Sequence, residues 1–134
     1  MTTMSTFLAD SSAWIDYLRN VQAPLRQFID EGEIAHTEPV AMELLSGGRN
    51  DSEGDRVARM LSGTLLLRFD SVSDFPAATE LRRTAIRTGL RVGVVDCMIL
   101  AVAGRYDVPL ITKDRLQAEL ARSVGIRAEL LPAR

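Results

Sequence analysis

Apolar and polar positions alternate along the chain in a way that predicts strands and helices in turn. Short apolar runs bounded by polar residues are typical of buried strands, and apolar residues three or four apart are typical of helices packed on one face. The predicted strands span residues 5–9, 31–37, 65–69, 108–112 and 126–131. The predicted helices span residues 11–20, 24–29, 38–46, 51–62, 74–88, 94–106 and 113–124. This alternation predicts a parallel sheet with helices on both faces.

Three segments carry more specific expectations. Ser11 or Ser12 is expected to cap the first helix, whose apolar face includes Trp14 and Val21. Residues 65–69, LLLRF, are expected to form a central strand. The helix over residues 94–106 is apolar nearly all round, so we expect it to lie buried between other elements, with Cys97 as a small core residue.

The bulk composition limits the class of protein. The 134 residues are 46% hydrophobic and 25% charged, which fits a single globular domain over residues 1–134. No apolar run approaches the roughly 20 residues of a membrane span, and the first residues do not resemble a secretory signal. A single cysteine rules out an internal disulfide. We therefore expect a cytoplasmic protein.

The charge and the type of basic residue bear on the choice of binding partner. The net charge is −2, and fifteen of the sixteen basic residues are arginine, Lys113 being the exception. Arginine is well suited to bidentate contacts with phosphate, although a GC-rich genome would produce the same bias.

Four acidic residues, Asp10, Glu43, Asp96 and Asp114, stand where a predicted strand ends or a helix begins. In an open α/β sheet the carboxyl ends of the strands form the ligand-binding crevice. Carboxylates gathered there repel one another unless a cation lies between them, and Mg²⁺ or Mn²⁺ prefers oxygen ligands. Each acid alone is explained as a helix cap or a solvated residue, so the hypothesis of metal-dependent phosphodiester chemistry depends on the four together.

The chain resembles the PIN-domain family, and more narrowly the VapC toxins of bacterial type II toxin–antitoxin pairs. The resemblance is carried by FLADSSAWIDYL, EPVAMELLSG and VGVVDCMILAVAGRYDVPLITKD, in this order. It implies a PIN-like three-layer α/β/α fold with a central parallel sheet of about five short strands. It also implies a nuclease that cleaves RNA with Mg²⁺ or Mn²⁺ held by the four acids.

Roles within this set follow from position. Asp10 and Asp96 lie at abrupt strand-to-helix junctions and are the predicted direct metal ligands, whereas Glu43 and Asp114 are predicted to act through water. The resemblance also implies Ser12 and Thr112 as supporting hydroxyls, two residues after Asp10 and two residues before Asp114. Further candidates are the RNA contacts Arg83 and Arg87 on an outward helix face, and Arg49 near Glu43.

The resemblance also implies partners. A VapB-like antitoxin would dock on the apolar face of the N-terminal helices and place a basic group in the acidic pocket. A homodimer is expected, and no membrane is involved.

Other interpretations remain open. The same residues fit a PIN nuclease of RNA processing that is not a toxin, or an inactive RNA-binding module. A phospho-receiver domain would need a second acid after Asp10, where Ser11 stands, and a lysine ending its own strand. With His36 as the only histidine, a Ser-His-Asp triad is improbable. Asp16 is expected to face solvent, and Asp74 to border a loop.

Overall fold

The computed structural model describes residues 5–132 and contains a five-stranded, fully parallel sheet in the order β3-β2-β1-β4-β5. The strands are β1 (Phe7–Ala9), β2 (Ile34–His36), β3 (Leu65–Leu66), β4 (Leu110–Thr112) and β5 (Ala128–Leu130). The helices of this part of the chain are α1 (Ser11–Arg19), α2 (Leu25–Asp30), α3 (Glu38–Ser46), α4 (Asp51–Ser62), α5 (Ser71–Thr88), α6 (Val94–Tyr106) and α7 (Arg115–Ser123). The predicted α/β/α class and the five strands are confirmed.

The core lies around the central strand β1. Leu8 pairs with Ala35 of β2 on one side and with Leu110 of β4 on the other, and all three are fully buried. Helix α6 packs extensively against α5, and its middle residues, Ile99 and Leu100 among them, are fully buried. This confirms the expectation from its nearly uniform apolar sequence. No helix in residues 5–132 has the length and apolar character needed to cross a membrane.

The prediction of a central strand over residues 65–69 is wrong. Strand β3 contains only Leu65 and Leu66, pairs with β2 alone and lies at the edge of the sheet, where Leu65 is 55% exposed. An apolar run indicates an extended segment, but it does not indicate the strand's place in the sheet, because that depends on pairing with distant residues.

Two expectations about helix ends also need correction. Asp10, not Ser11 or Ser12, is the N-cap of α1, and its side chain accepts a hydrogen bond from the Ser12 backbone N–H. Val21 lies beyond the end of α1 and is 54% exposed, so it does not extend the helix's apolar face.

Asp74 does not border a loop. Helix α5 begins three residues earlier than predicted, at Ser71, and Asp74 lies inside it. Its carboxylate is 1% exposed and accepts two hydrogen bonds from Arg105 of α6, both at 2.9 Å. The ion pair joins the two helices, so the acid is structural.

Candidate active site

Parallel pairing of β1 with β4 brings two of the predicted acids to one edge of the sheet. Asp10 directly follows β1, and its backbone N–H donates to the carbonyl of Ile111 in β4 at 2.8 Å. Asp114 follows β4 by two residues and is the N-cap of α7. Neighbouring parallel strands end at the same edge, so the fold places both carboxylates in the crevice at their carboxyl ends.

The Asp10 carboxylate is buried and firmly held. Its Oδ2 accepts hydrogen bonds from the Ser12 backbone N–H at 3.1 Å and from the Ser12 hydroxyl at 2.7 Å. Its Oδ1 accepts one from the side-chain amide of Gln117 at 3.2 Å. These three donors fix the orientation of the Asp10 carboxylate.

Ser12 and Thr112 both lie beside Asp10. The Ser12 hydroxyl also accepts from the Lys113 backbone N–H at 3.0 Å, and lies 3.2 Å from the Thr112 hydroxyl. Thr112 donates to Gln117 Oε1 at 2.7 Å and accepts from the Asp114 backbone N–H at 3.0 Å. The two hydroxyls therefore join the start of α1 to the turn between β4 and α7.

Glu43 reaches this edge from α3. The Ser11 hydroxyl donates to Glu43 Oε1 at 2.5 Å, so neighbouring residues of α1 hold two different acids. Asp114 Oδ1 accepts from the backbone N–H groups of Leu116 and Gln117 at 2.9 and 3.3 Å, which is ordinary N-cap geometry.

The pKa of Asp96, in the first turn of α6, is shifted by its burial and by the other acids. Its pKa is raised from 3.8 to about 6, first by burial and then by the negative charges of Asp10, Glu43 and Asp114, while a backbone hydrogen bond from Gly93 opposes the shift. Asp10, Glu43 and Asp114 are therefore each close enough to Asp96 for their charges to act on it. None of them takes part in the ion pairs found within residues 5–132.

Comparison with known proteins identifies the family. The PIN-domain family model matches residues 7–123. The chain belongs to the PIN-domain family. It is 34% identical over 128 residues to Ribonuclease VapC11 of Mycobacterium tuberculosis H37Rv, covering 90% of this chain and 96% of that protein. VapC ribonuclease Mb1587 of Mycobacterium bovis matches with the same identity and coverage, which places this PIN domain among the VapC ribonucleases.

Solved structures confirm the PIN fold. DNA-bound VapBC from Salmonella typhimurium matches with a TM-score of 0.76 and 24% identity, covering 94% of this chain and 98% of that one. VapBC-1 from nontypeable Haemophilus influenzae matches with a TM-score of 0.75 and 14% identity, covering 93% and 97% of the two chains. These likenesses cover nearly the whole PIN domain.

The donor set of this PIN domain fits a hydrated magnesium ion better than a zinc ion. Within residues 5–132, no three His, Cys, Asp or Glu side chains converge closely enough to hold a metal by themselves. Mg²⁺ does not need such a cage, because it keeps several waters and is commonly held by one or two carboxylates. Burial and then the charges of Asp10, Glu43 and Asp114 raise the pKa of Asp96, and a bound cation would offset the effect of those charges.

Asp16 is not solvated, contrary to the sequence-based expectation. It is 6% exposed and lies 3.3 Å from the ammonium of Lys113, which is itself largely buried. A charged residue on a helix is usually exposed, and only the fold reveals a partner this far along the chain. Lys113, the only lysine in the sequence, lies in the turn between β4 and α7, so the contact joins this turn to α1.

Arg83 and Arg87 are exposed on α5, as predicted. Arg83 lies 3.6 Å from Glu80, and Arg87 donates to the Thr84 hydroxyl at 3.0 Å. Neither contacts a residue of the acidic cluster. By contrast, Arg49 lines a cavity of about 370 Å³ that includes Glu43, together with Arg19, Leu44, Glu53 and Arg56.

Trp14, His36 and Cys97 have structural surroundings. Trp14, on the apolar face of α1, is fully buried in the hydrophobic core. His36 lies 2.6 Å from the Thr64 hydroxyl, and burial lowers its pKa, which favours the neutral imidazole. Cys97 is buried, and burial raises the pKa of its thiol to about 11.

Gln117 is the site residue that sequence reasoning missed. It is fully buried on α7, on the same face as Leu120 and Ala121. A polar residue at an apolar-face position was the available signal, since a buried amide must find hydrogen-bond partners.

Proposed function

We propose that this PIN domain is a metal-dependent endoribonuclease toxin of a VapBC-type pair, hydrolysing RNA phosphodiester bonds with Asp10, Glu43, Asp96 and Asp114. The observation that carries the proposal is the gathering of four carboxylates at one edge of the sheet: Asp10 follows β1, Asp114 follows the neighbouring β4, and Glu43 reaches Ser11 of α1. The fourth, Asp96, has a pKa raised to about 6 by burial and by the charges of the other three. Retaining such repulsion in a half-buried site is costly unless a cation occupies it. The identity with VapC ribonucleases supports RNA as the substrate.

Asp10 and Asp96 would hold Mg²⁺ or Mn²⁺. When bound, the cation supplies Lewis acidity to the scissile phosphate and to the attacking water, and offsets the charge that develops on the phosphate. Asp10 suits this role because donors from Ser12 and Gln117 fix its orientation.

Glu43 and Asp114 would act on water. The Ser11 hydroxyl occupies Glu43 Oε1, which leaves Oε2 to accept a hydrogen bond from the attacking water. Asp114 is held at Oδ1 by backbone N–H groups at the start of α7, so its Oδ2 is similarly available. The hydroxyls of Ser12 and Thr112 lie 3.2 Å apart and join the start of α1 to the end of β4, next to these acids.

Arg83 and Arg87 are proposed to contact the RNA backbone, since they carry exposed positive charge. The cavity that Arg49 shares with Glu43 supports a second contact region closer to the acids.

A VapB-like antitoxin is the proposed protein partner. VapBC from Salmonella typhimurium and VapBC-1 from nontypeable Haemophilus influenzae share this fold. The acidic cluster would accept a basic group of the antitoxin, and helices α1 and α3, which pack together, would supply the docking surface. By the same likeness we propose a homodimer and a cytoplasmic location.

Two alternatives need to be separated by experiment. A PIN nuclease of RNA processing would use the same chemistry without an antitoxin, and an inactive module would bind RNA without cutting it. Membership in the PIN-domain family removes the receiver-domain alternative.

The test incubates purified protein with pools of tRNA, rRNA and mRNA in Mg²⁺ or Mn²⁺, beside Asp10→Asn and Asp96→Asn. Asn is as good an N-cap as Asp, so Asp10→Asn removes the charge while retaining the cap of α1. Asp107→Asn, at an exposed acid, is the matched control. We expect cleavage by the parent and the control, and its loss in both site variants and in EDTA. Cleavage that survives both substitutions contradicts the mechanism.

Toxicity distinguishes the biological alternatives. Expression of the parent, but not of Asp96→Asn, is expected to arrest growth, and co-expression of the proposed VapB-like antitoxin is expected to restore it. Cleavage in vitro without growth arrest would favour an RNA-processing role.

A further inference from the structure

Gln117 is a buried polar residue that takes no direct part in the proposed chemistry but contacts a residue that does, Asp10. It is fully buried, and Ala118, Leu120 and Ala121 beside it on α7 are apolar. Burying an amide is unfavourable unless its donors and acceptor are all used. The hydrogen bonds of Gln117 therefore indicate why an amide stands at this position.

The contacts of Gln117 determine which end of its amide points where. Nε2 lies 3.2 Å from Asp10 Oδ1 and 3.4 Å from the main-chain carbonyl oxygen of Asp96. Both of these atoms are acceptors, so the NH₂ group must face them. Oε1 then accepts the hydroxyl proton of Thr112 at 2.7 Å.

This network leaves Gln117 as the side chain that holds Asp10 Oδ1. The two donors of Ser12 bind Oδ2, at 3.1 and 2.7 Å. Thr112 lies 3.4 Å from Oδ2, but its single proton is used in the shorter bond to Gln117. A carboxylate oxygen offers two lone pairs, so one donor on Oδ1 orients it and still leaves a lone pair for a cation.

One NH₂ group thus contacts both residues proposed to hold the metal, Asp10 through its side chain and Asp96 through its main chain. One of its protons points to the Asp10 carboxylate at the end of β1, and the other to the Asp96 carbonyl in the first turn of α6. Since α7 carries this amide, the helix connects the strand end and α6 through a single side chain.

We propose that Gln117 is a positioning residue that sets the orientation of the Asp10 carboxylate and its spacing from Asp96. The inference rests on the proposed function, in which these two acids hold Mg²⁺ or Mn²⁺. Mg²⁺ requires near-ideal octahedral geometry, whereas Ca²⁺ tolerates irregular sites, so loss of positioning impairs Mg²⁺ binding more than Ca²⁺ binding. Loss of a partner that orients a metal ligand typically weakens metal affinity by about 10- to 100-fold.

The experiment measures metal binding directly, independently of catalysis. Mn²⁺ affinity is measured by electron paramagnetic resonance, and Mg²⁺ and Ca²⁺ affinities by competition, for the parent, Gln117→Met and Gln117→Asn. Met retains length without hydrogen bonds, and Asn retains the amide but is one methylene shorter. Leu120→Ala, buried on the same helix, is the control that loosens α7 packing without removing a polar group.

We expect both Gln117 variants to bind Mn²⁺ at least about tenfold more weakly and to lose preference for Mg²⁺ over Ca²⁺. Leu120→Ala should lower the melting temperature without changing that preference. If Gln117→Met does not fold, Gln117→Asn decides by the same criterion.

Parent-like affinity and metal preference in a folded Gln117 variant would overturn the inference, as would equal weakening in Leu120→Ala. Failure of the proposed function gives a different result, since the parent would then neither bind Mn²⁺ nor cleave RNA.

Discussion

The Ser11 hydroxyl donates to Glu43 Oε1 at 2.5 Å, while the next residue, Ser12, donates to Asp10 Oδ2 at 2.7 Å. Consecutive serines at the start of α1 thus hold acids from two different parts of the chain. The first contact joins α1 to α3, and the second holds the end of β1. The two contacts therefore hold Asp10 and Glu43, two of the four acids, at the start of the same helix.

Replacing Ser11 with Ala is expected to release Glu43 from its fixed orientation. We expect kcat for RNA cleavage to fall about tenfold, because Glu43 would orient the attacking water in only a fraction of complexes. The free energy of unfolding should fall by only about 1 kcal/mol, the usual value of a single hydrogen bond. Steady-state cleavage of a defined RNA measures kcat, and urea denaturation measures the free energy of unfolding. An unchanged kcat would show that the hydrogen bond from Ser11 to Glu43 is not needed for catalysis.

The raised pKa of Asp96 predicts how metal-free stability depends on pH. The folded protein binds this proton up to about pH 6, whereas the unfolded chain releases it near the ordinary value of 3.8. Stability contributed by the protonated group is therefore present at pH 4 and is lost as the pH rises through 6. In EDTA, Asp96→Asn should stabilise the protein at pH 7.5 by about 1 kcal/mol, a value that is reduced for solvent screening because Asp96 is only half-buried. At pH 4 the substitution should have little effect on stability.

Urea denaturation at both pH values checks this, with Asp107→Asn as the exposed control. The direction is opposite to that of His36, whose lowered pKa makes stability fall as the pH drops. Comparing the variant with the parent at each pH cancels the His36 contribution. A destabilising effect of Asp96→Asn at pH 7.5 would contradict the prediction.

The arginine predictions are tested by the salt dependence of RNA binding, measured in the Asp10→Asn background to prevent cleavage. If Arg83 and Arg87 contact phosphates, replacing each with Ala should weaken binding and reduce the salt slope by about 0.7 per lost contact. Arg26→Ala, at an exposed arginine paired with Asp30, is the control. Loss of affinity in Arg49→Ala alone would instead place the RNA along the cavity beside Glu43.

The Asp74–Arg105 pair should be essential for stability and separate from catalysis. Arg105→Met removes the ion-pair partner of the Asp74 carboxylate, which is only 1% exposed. We therefore expect the free energy of unfolding to fall by about 3 kcal/mol. The double variant Asp74→Asn with Arg105→Met should recover part of it. Mn²⁺ affinity of the folded fraction should match that of the parent, and a selective loss of metal binding would connect this pair to the site.

The sequence alone predicted much of this protein because its strongest signals are local. Apolar runs and helical spacing depend on neighbouring residues, so helices α4 and α6 begin and end at the predicted residues. The order of the acidic motifs likewise predicted the family without coordinates, and the PIN-domain match confirms it.

Only the tertiary structure decided the features that join distant parts of the chain. Pairing placed β3 at the sheet edge, and the fold gave Asp16 its contact with Lys113 and Asp74 its contact with Arg105. It also brought Gln117 between Asp10 and Asp96. The physical reason is that a buried polar group is stable only with a partner, and that partner is supplied by residues far away in sequence, which no local pattern specifies.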